Sequence, residues 1–417
     1  MTELDFNDEL LEFLQASPTP FHAVANMAAM LEEGGFVQLD EGSSWQLESG
    51  NSYFVIRNDS ALVAFKVGGG DPLEQGIHLS GTHTDSPCLK VKPNPEINSQ
   101  GYVQLGVEVY GGALLNPWFD RDLSLAGRVD YKTTQGELES VLIDLVEPVA
   151  FIPSLAIHLD REANTGKSVN AQKHLPPIVL QAKADKAFSF DDFLKEHLNT
   201  YSDDVALDKV LSHELFLYDT QAPAEVGLDS QFIASARLDN LLSCFIACKS
   251  LLGSSDEFTS VLVCNDHEEV GSASASGAQG PFLKAVLERM LKGSGTDALE
   301  RVMHRSLMLS IDNAHGVHPN FVDKHDALHR PMLNSGPVIK INANQRYASN
   351  SQTIAQFKTI CEGVDVPYQA FVTRSDMGCG STIGPITATE LGVPTIDIGL
   401  ATFGMHSIRE LAGAADP

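Results

Sequence analysis

Carboxylates and imidazoles follow five apolar segments of this chain, at the point where each predicted strand ends. The residues are His83 after "IHLSGT", Asp239 after "FIASARL", Glu268 and Glu269 after "SVLVCN", Asp312 after "SLMLSI", and His406 after "TIDIGL". In open α/β sheets, ligands collect outside the carboxyl ends of the strands. Zinc accepts both nitrogen and oxygen ligands, and such a set can hold two ions about 3.5–4 Å apart. The pattern therefore predicts a dinuclear zinc site.

The adjacent pair Glu268 and Glu269 is the least expected part of this pattern. Two neighbouring carboxylates repel each other, and removing them from water costs more still, unless a positive charge is near. On an extended backbone their side chains point to opposite sides, so that one binds metal and the other serves as general base. The residues alone do not decide which does which. Asp85, two residues after His83, is expected to hold the imidazole N–H.

Each of these residues also has an ordinary structural explanation when it is taken alone. Glu268 and Glu269 would form a solvated turn, Asp239 would be a helix N-cap, Asp312 would be a turn former, and His406 would be a buried structural histidine. Their ordered recurrence on one predicted sheet edge favours a shared functional site over five separate explanations.

The elements that position these residues alternate between strands and helices. Residues 227–417 and the first 91 residues share this alternation, which is typical of a mixed, mostly parallel sheet flanked by helices. Residues 92–226 differ, because segments such as "YVQLGVEVYGG" and "LSLAGRVDYKTT" indicate hairpin strands. We therefore predict an α/β catalytic domain at 1–91 and 227–417, interrupted by an inserted β-rich domain at 92–226.

Composition excludes several classes of function. The 417 residues carry a net charge of −27, which repels nucleic acids and anionic membranes, and an anionic substrate would need a local cation. No apolar run is long enough to span a membrane. The first residues, MTELDFNDEL, lack the features of a signal peptide, and the six cysteines are dispersed. The expected location is the cytoplasm.

Longer segments resemble the aspartyl aminopeptidases, a family of dinuclear zinc exopeptidases. The likeness runs almost from end to end. The segments that carry it are "SPTPFHAV" (17–24), "GTHTDSPCLKVKP" (81–93), "YGGALLNPWFDRDLSLAGRV" (110–129), "IPSLAIHLDR" (152–161), "ARLDN" (236–240), "DHEEVGS" (266–272), "DNAHGVHPN" (312–320), "GPVIKINANQRYASN" (336–350), "CGSTIGP" (379–385) and "GMHSIRE" (404–410). The chain departs from the family at Ser375 and Gly378, where Asn and Pro are common.

The resemblance implies a role for each candidate ligand. Asp239 would bridge two Zn²⁺ ions, for which Co²⁺ or Mn²⁺ are expected substitutes. His83 and Asp312 would complete one ion, and Glu269 and His406 the other. Glu268 would then be the general base, a choice that the family order makes and the residues alone do not.

The resemblance also implies roles outside the ligand set. His158 would reach the active site of a neighbouring subunit, through an inserted dimerisation domain of a tetrahedral dodecamer; by spacing alone it is a structural residue of the insertion. His315 would donate a hydrogen bond to the scissile carbonyl oxygen, or else be a structural imidazole. Lys340, within "PVIKINANQRY", would bind the carboxylate of an acidic first residue, or else point to solvent.

The resulting prediction is a metallo-aminopeptidase that releases N-terminal Asp or Glu from peptides with a free N-terminus. Hydroxide would attack the scissile carbonyl at a co-catalytic dizinc site. The alternatives are a neutral-residue aminopeptidase, a zinc-dependent amidase or deacylase on the same fold, and a non-catalytic self-assembling particle. A deacylase would accept an N-acetylated substrate, whereas an aminopeptidase needs the free amine.

Overall fold

The computed structural model describes residues 3–166, 168–183, 187–201 and 206–417. Contacts divide the chain into two units. The first unit comprises Met1–Ser86, Pro223–Met405 and Arg409–Pro417. The second comprises Pro87–Ala222 together with His406–Ile408. The second unit thus begins and ends a few residues before the predicted insertion of 92–226, and it gains three residues from the C-terminal region.

The described residues form ten α-helices and twenty strands. The α-helices are α1 (Glu3–Ala16), α2 (Pro20–Glu33), α3 (Pro72–Gln75), α4 (Ala171–His174), α5 (Phe190–Tyr201), α6 (Leu238–Leu252), α7 (Phe282–Met290), α8 (Ala298–Arg305), α9 (Ser351–Gly363) and α10 (Ile383–Leu391). The strands are β1 (Val37–Gln38), β2 (Ser52–Arg57), β3 (Ala61–Lys66), β4 (His78–His83), β5 (Cys88–Ser99), β6 (Tyr102–Tyr110), β7 (Leu123–Thr133), β8 (Leu138–Asp144), β9 (Ile178–Gln181), β10 (Leu207–Asp219), β11 (Ala224–Val226), β12 (Phe232–Ser235), β13 (Ser260–Asn265), β14 (Leu307–Ile311), β15 (Ala314–His315), β16 (Val338–Ile341), β17 (Gln369–Val372), β18 (Thr395–Gly399), β19 (Ala401–Phe403) and β20 (Glu410–Gly413).

The first unit is built on a nine-stranded mixed sheet in the order β1-β2-β3-β13-β4-β14-β18-β16-β17. Its central strands β13, β4, β14 and β18 run parallel to their neighbours within that group, while β3 and β16 join antiparallel. Parallel strands in the middle of a sheet are normally covered on both faces. The predicted α/β class, a mixed sheet flanked by helices, is confirmed.

Strand β13 shows why helices cover both faces of this sheet. All six of its residues are buried, and successive side chains point to opposite faces. Leu262 and Cys264 pack in one apolar core with residues of α1, α2 and α6. Val261 and Val263 pack in another core with residues of α7 and α8. Burying each large aliphatic side chain contributes roughly 1.5–3 kcal/mol, so the edge where β13 ends is firmly fixed.

A second, five-stranded sheet of the first unit has the order β11-β12-β20-β19-β15. It contains β12, the strand that precedes Asp239. Sequence reasoning assumed one sheet edge for every candidate ligand, and that assumption is wrong for this residue.

The second unit contains a six-stranded sheet in the order β8-β7-β10-β5-β6-β9. All of its strand pairs are antiparallel, and its apolar side chains form a core of their own. None of the helices in the described part of the chain combines the length and apolar composition needed to cross a bilayer.

Candidate active site

Three neighbouring strands of the nine-stranded sheet bring the first candidate ligands to one level. In the pairing of β13 with β4, Asn265 lies opposite His83. In the pairing of β14 with β4, Ser310 lies opposite Gly81, so Asp312 follows at the level of His83. Glu268 comes three residues after Asn265 at the same edge. Strand register therefore gathers side chains that are more than 180 residues apart in sequence.

His83 lies between the carboxylates of Asp239 and Asp312. Its Nε2 atom is 3.5 Å from Oδ1 of Asp239 and 3.6 Å from Oδ1 of Asp312. One ligand atom from each of the three residues lies within 4.8 Å of the others. Burial alone would lower the pKa of the imidazole, but these carboxylates and that of Asp85 outweigh burial and hold it well above its ordinary value. The surroundings of His83 thus favour a positive charge.

The other ring nitrogen of His83 meets Asp85. Nδ1 is 3.0 Å from the main-chain carbonyl oxygen of Asp85 and 3.5 Å from its carboxylate. The carbonyl therefore makes the shorter contact, where sequence reasoning expected the carboxylate. The Asp85 carboxylate instead accepts two hydrogen bonds of 3.1 Å, from the backbone N–H groups of Glu268 and Glu269.

Glu268 and Glu269 lie in a tight turn, so the expectation of an extended backbone is wrong. His267 has a positive φ of 62°, and Glu268–Val270 form one turn of 3-10 helix. The turn does not direct the two carboxylates to opposite sides of a strand. Both offer an oxygen that lies within 4.8 Å of a ring nitrogen of His83 and of each other.

The environment of these two carboxylates opposes their ionisation. Burial, with the charges of Asp312, Asp85 and Asp239, raises the pKa of Glu268 to about 7. Burial and the charge of Asp239 raise the pKa of Glu269 to about 10. A bound cation reverses this balance, because it stabilises the ionised carboxylates.

The donor set fits a divalent metal. His83, Asp239 and Asp312 form one close group of nitrogen and oxygen atoms, and His83, Glu268 and Glu269 form another. One imidazolium does not balance so many carboxylates. Calcium prefers all-oxygen sites, whereas zinc takes imidazole and carboxylate together. The side chains of this group therefore suit zinc, which would be held by His83, Asp239, Asp312 and one of the two glutamates.

Asp239 is fixed by main-chain contacts that sequence reasoning missed. Asp239 is the second residue of α6 and has non-helical dihedral angles (φ −84°, ψ 103°). Its N–H donates a 2.8 Å hydrogen bond to Oε2 of Glu410, and its carbonyl accepts a 2.7 Å bond from the Ser86 hydroxyl. Both partners are buried and both lie within the motifs quoted above, which was the only signal in the sequence that could have found them.

Lys340 is a buried cation beside Asp312. Its side chain is 3% exposed, which excludes the solvent-facing alternative. Nζ donates to the carbonyl and to Oδ2 of Asp312, at 3.1 Å each, and to the carbonyl of Asn313 at 2.8 Å. Burial would raise the pKa of Asp312, but the charges of Lys340 and His83 hold it well below its ordinary value. Lys340 therefore keeps a candidate metal ligand ionised.

His315 lines a cavity of about 310 Å³ in the first unit, together with Tyr347, Phe371 and Cys379. Its ring packs edge-on against Phe371 at 5.4 Å. Burial among protein atoms, followed by the charge of Lys340, lowers the pKa of the ring, although the ring is exposed to the cavity. A neutral imidazole in this position can donate one hydrogen bond to a bound molecule.

Two predicted site residues lie in the second unit. His158 is exposed in a turn. His406 has a positive φ of 67°, and Met405, directly before it, belongs to the first unit. The roles of His158 and His406 remain predictions.

Comparison with known proteins identifies the family. Residues 13–417 match the family model "Aminopeptidase I zinc metalloprotease (M18)". A "Probable M18 family aminopeptidase 2" of Ectopseudomonas mendocina is 60% identical over 407 residues, which are 98% of this chain and 94% of the relative.

Solved structures agree with the sequence match. A chain in the cryo-EM structure of the Ape4 and Nbr1 complex superposes with a TM-score of 0.96 at 39% identity, over 99% of this chain and 83% of that one. A chain of the S. cerevisiae mApe1 dodecamer gives a TM-score of 0.81 at 29% identity, over 99% and 93% of the two chains. The protein therefore belongs to the M18 peptidases, the aminopeptidase I zinc metalloproteases, and is a metallo-aminopeptidase.

Proposed function

We propose that this aminopeptidase prefers substrates with an N-terminal Asp or Glu and works with two zinc ions per subunit. The observation that carries the acidic preference is Lys340, a buried ammonium in contact with Asp312. The chain has a net charge of −27, so the anionic side chain of a substrate's first residue needs such a local cation near the reacting bond.

Three carboxylates and two imidazoles would hold the two ions. His83 and Asp312 would bind one ion, Glu269 and His406 the other, and Asp239 would bridge them. The close grouping of His83, Asp239 and Asp312 supports the assignment of the first ion. His406 directly follows Met405, a residue of the first unit, which is compatible with the assignment of the second ion. Zinc, when bound, lowers the pKa of a coordinated water to about 7 and polarises a carbonyl oxygen.

The chain's own groups would move the proton and orient the substrate. Glu268 would accept a proton from the attacking water and pass it to the leaving amine. Asp85 supports this role by holding the backbone N–H groups of the turn that carries Glu268. His315 would donate a hydrogen bond to the oxygen of the scissile carbonyl as negative charge develops there.

We also propose that the active enzyme is a homo-oligomer, specifically a tetrahedral dodecamer, in which His158 contributes to a neighbouring subunit's site. The exposure of His158 and the likeness to a chain that forms an mApe1 dodecamer support this arrangement. Exposed apolar side chains beside His158, among them Leu155, Ile157 and Leu159, suit a surface that is covered in an assembly.

The test is hydrolysis of the naphthylamides of Asp, Glu, Leu and Ala, before and after chelation and after zinc is restored. Chelator-sensitive release from Asp and Glu, with little release from Leu or Ala, supports the acidic preference. Preferential release from Leu or Ala contradicts it and leaves a neutral-residue aminopeptidase. Metal analysis of the active protein should give two zinc ions per subunit; one ion per subunit would contradict the dinuclear site.

A further inference from the structure

The cavity beside His315 has an unusual electrostatic character for this protein. Its lining includes Lys324, Arg374, His318 and His325 in addition to His315, and within the described chain no acidic residue lines it. The protein has 55 acidic residues among 417, so a lining of this size would hold about two by chance. The cavity is therefore suited to an anion.

Two histidines of the lining are held in defined tautomers. The backbone N–H of His318 donates to Nε2 of His325, and that of Asn320 donates to Nδ1 of His318, each at 3.2 Å. A ring nitrogen that accepts a hydrogen bond carries no hydrogen, so the other nitrogen of each neutral ring is the donor. Over the described residues, neither of these donors, Nε2 of His318 and Nδ1 of His325, has a hydrogen-bond partner.

Lys324 and Arg374 are the lysine and the arginine of the cavity lining. The ammonium of Lys324 is 62% exposed and lies 3.7 Å from the carboxylate of Asp323. Arg374 pairs with Asp376 through two hydrogen bonds of 2.9 and 2.6 Å and also donates to the main-chain carbonyl of Asp323. Arg374 thus links the segment at Asp323 to the segment at Asp376. The exposed ammonium of Lys324 remains accessible to another anion.

Part of the cavity lining lies a short distance along the sheet from Lys340. Lys340 pairs with Phe371 in the parallel strands β16 and β17, and Phe371 lines the cavity. Arg374 follows three residues later, at most about 10 Å farther along. An extended peptide advances about 3.3 Å per residue, so the second and third residues of a peptide whose first residue lies near Lys340 fall within this limit. A carboxylate on the second residue extends farther than its Cα atom.

We propose that Lys324, with the ring N–H groups of His318 and His325, forms a subsite for a carboxylate on the peptide beyond the scissile bond. The carboxylate is either the side chain of an acidic second residue or the C-terminal carboxylate of a dipeptide. This inference rests on the proposed position of the first residue near Lys340, and it adds a specificity determinant on the leaving-group side.

The experiment compares three substrates that share the first residue which the enzyme cleaves best. The second part of each substrate is alanine amide, glutamic acid α-amide or alanine with a free carboxyl terminus. The zinc-loaded full chain should cleave one or both of the carboxylate substrates about two- to fivefold more efficiently than alanine amide, measured as kcat/KM, which corresponds to an exposed ion pair of up to about 1 kcal/mol. The more favoured carboxylate identifies its source.

The variant Lys324→Glu should remove this advantage while kcat/KM for alanine amide stays within about twofold of the wild type, since only an exposed charge is changed. Lys324→Arg should retain the advantage. Lys284→Glu is the matched control, because Lys284 is exposed on α7 and does not line the cavity. High salt should reduce the advantage in the wild type.

A wild-type enzyme without preference for either carboxylate substrate would overturn the subsite, as would an unchanged preference in Lys324→Glu. These outcomes are separate from a failure of the proposed acidic preference, because every comparison holds the first residue constant. A loss of preference that Lys284→Glu reproduces would assign the effect to net charge and would also overturn the proposal.

Discussion

The backbone N–H of Glu268 donates a 3.1 Å hydrogen bond to Oδ1 of Asp85. The second oxygen of the same carboxylate accepts the N–H of the next residue, Glu269. One buried carboxylate therefore fixes the turn that presents both glutamates. The role of Asp85 is to position other groups through their main chain, in addition to the contact of its carbonyl with His83.

Asp85→Asn should lower kcat by at least about tenfold, because an amide nitrogen cannot accept the second N–H and the glutamate turn loses a fixed position. KM for the best substrate should change much less. Steady-state kinetics check this, with Asp256→Asn as a control at a side chain that is 79% exposed. Wild-type kcat in Asp85→Asn would contradict the positioning role.

Glu268→Gln should abolish turnover while zinc content stays at the wild-type level, because the amide cannot accept the proton from water. Glu269→Gln should instead lower zinc content. Kinetics together with metal analysis of the two purified variants distinguish the roles. Loss of zinc in Glu268→Gln, with zinc retained in Glu269→Gln, would mean that the two assignments are exchanged.

Lys340→Met should lower the ratio of kcat/KM for Asp naphthylamide to that for Ala naphthylamide by at least about tenfold. This change corresponds to roughly 1.4 kcal/mol of transition-state binding. It should also destabilise the protein by about 3–5 kcal/mol, because the carboxylate of Asp312 loses its buried partner. Chemical denaturation measures the second effect independently of the first. A reduced stability with an unchanged ratio would limit Lys340 to holding Asp312.

Metal-free protein should lose stability as the pH rises above about 4.5. The pKa values of Glu268 and Glu269 are raised from 4.5 to about 7 and about 10, so the folded state keeps protons that the unfolded state releases. Their contribution to the free energy of unfolding is fully present below pH 4.5 and is lost as the pH rises toward these pKa values. The raised pKa of His83 acts in the same direction.

Urea denaturation of chelated protein at pH 5 and pH 8 tests this dependence. Glu269→Gln should reduce the difference between the two pH values by an amount on the order of 1 kcal/mol, and zinc should restore stability at pH 8 in the wild type. Equal stability of the chelated wild type at both pH values would contradict the raised pKa values.

His158→Ala should reduce activity if this exposed residue completes a neighbouring site. Co-assembly with Glu268→Gln subunits then offers a specific test. Mixed oligomers should recover part of the activity, since intact bases and intact His158 residues meet across subunits. Activity of the mixture that stays at the sum of the two separate variants would confine His158 to its own subunit.

The sequence by itself determined the elements and the types of ligand. Buried strands followed by charged residues, as at Val261–Cys264 and then Glu268, are visible because the apolar run and the carboxylates are adjacent in the chain. The family motifs then supplied an order for the roles. The α/β class with a β-rich insertion follows from the same local patterns, because periodicity reports which faces of an element are buried.

Only the tertiary structure decided how these residues meet. Register between β4, β13 and β14 sets His83, Asn265 and Asp312 at one level, with Glu268 three residues beyond Asn265. No local pattern encodes register between distant strands. Long-range packing also decides three other features. Asp239 approaches the site from the five-stranded sheet, Glu268 lies in a turn, and Lys340 contacts Asp312. Hydrogen bonds such as those of Asp85 and Glu410 join residues more than 150 positions apart, so their physical cause lies in the fold and not in the neighbouring sequence.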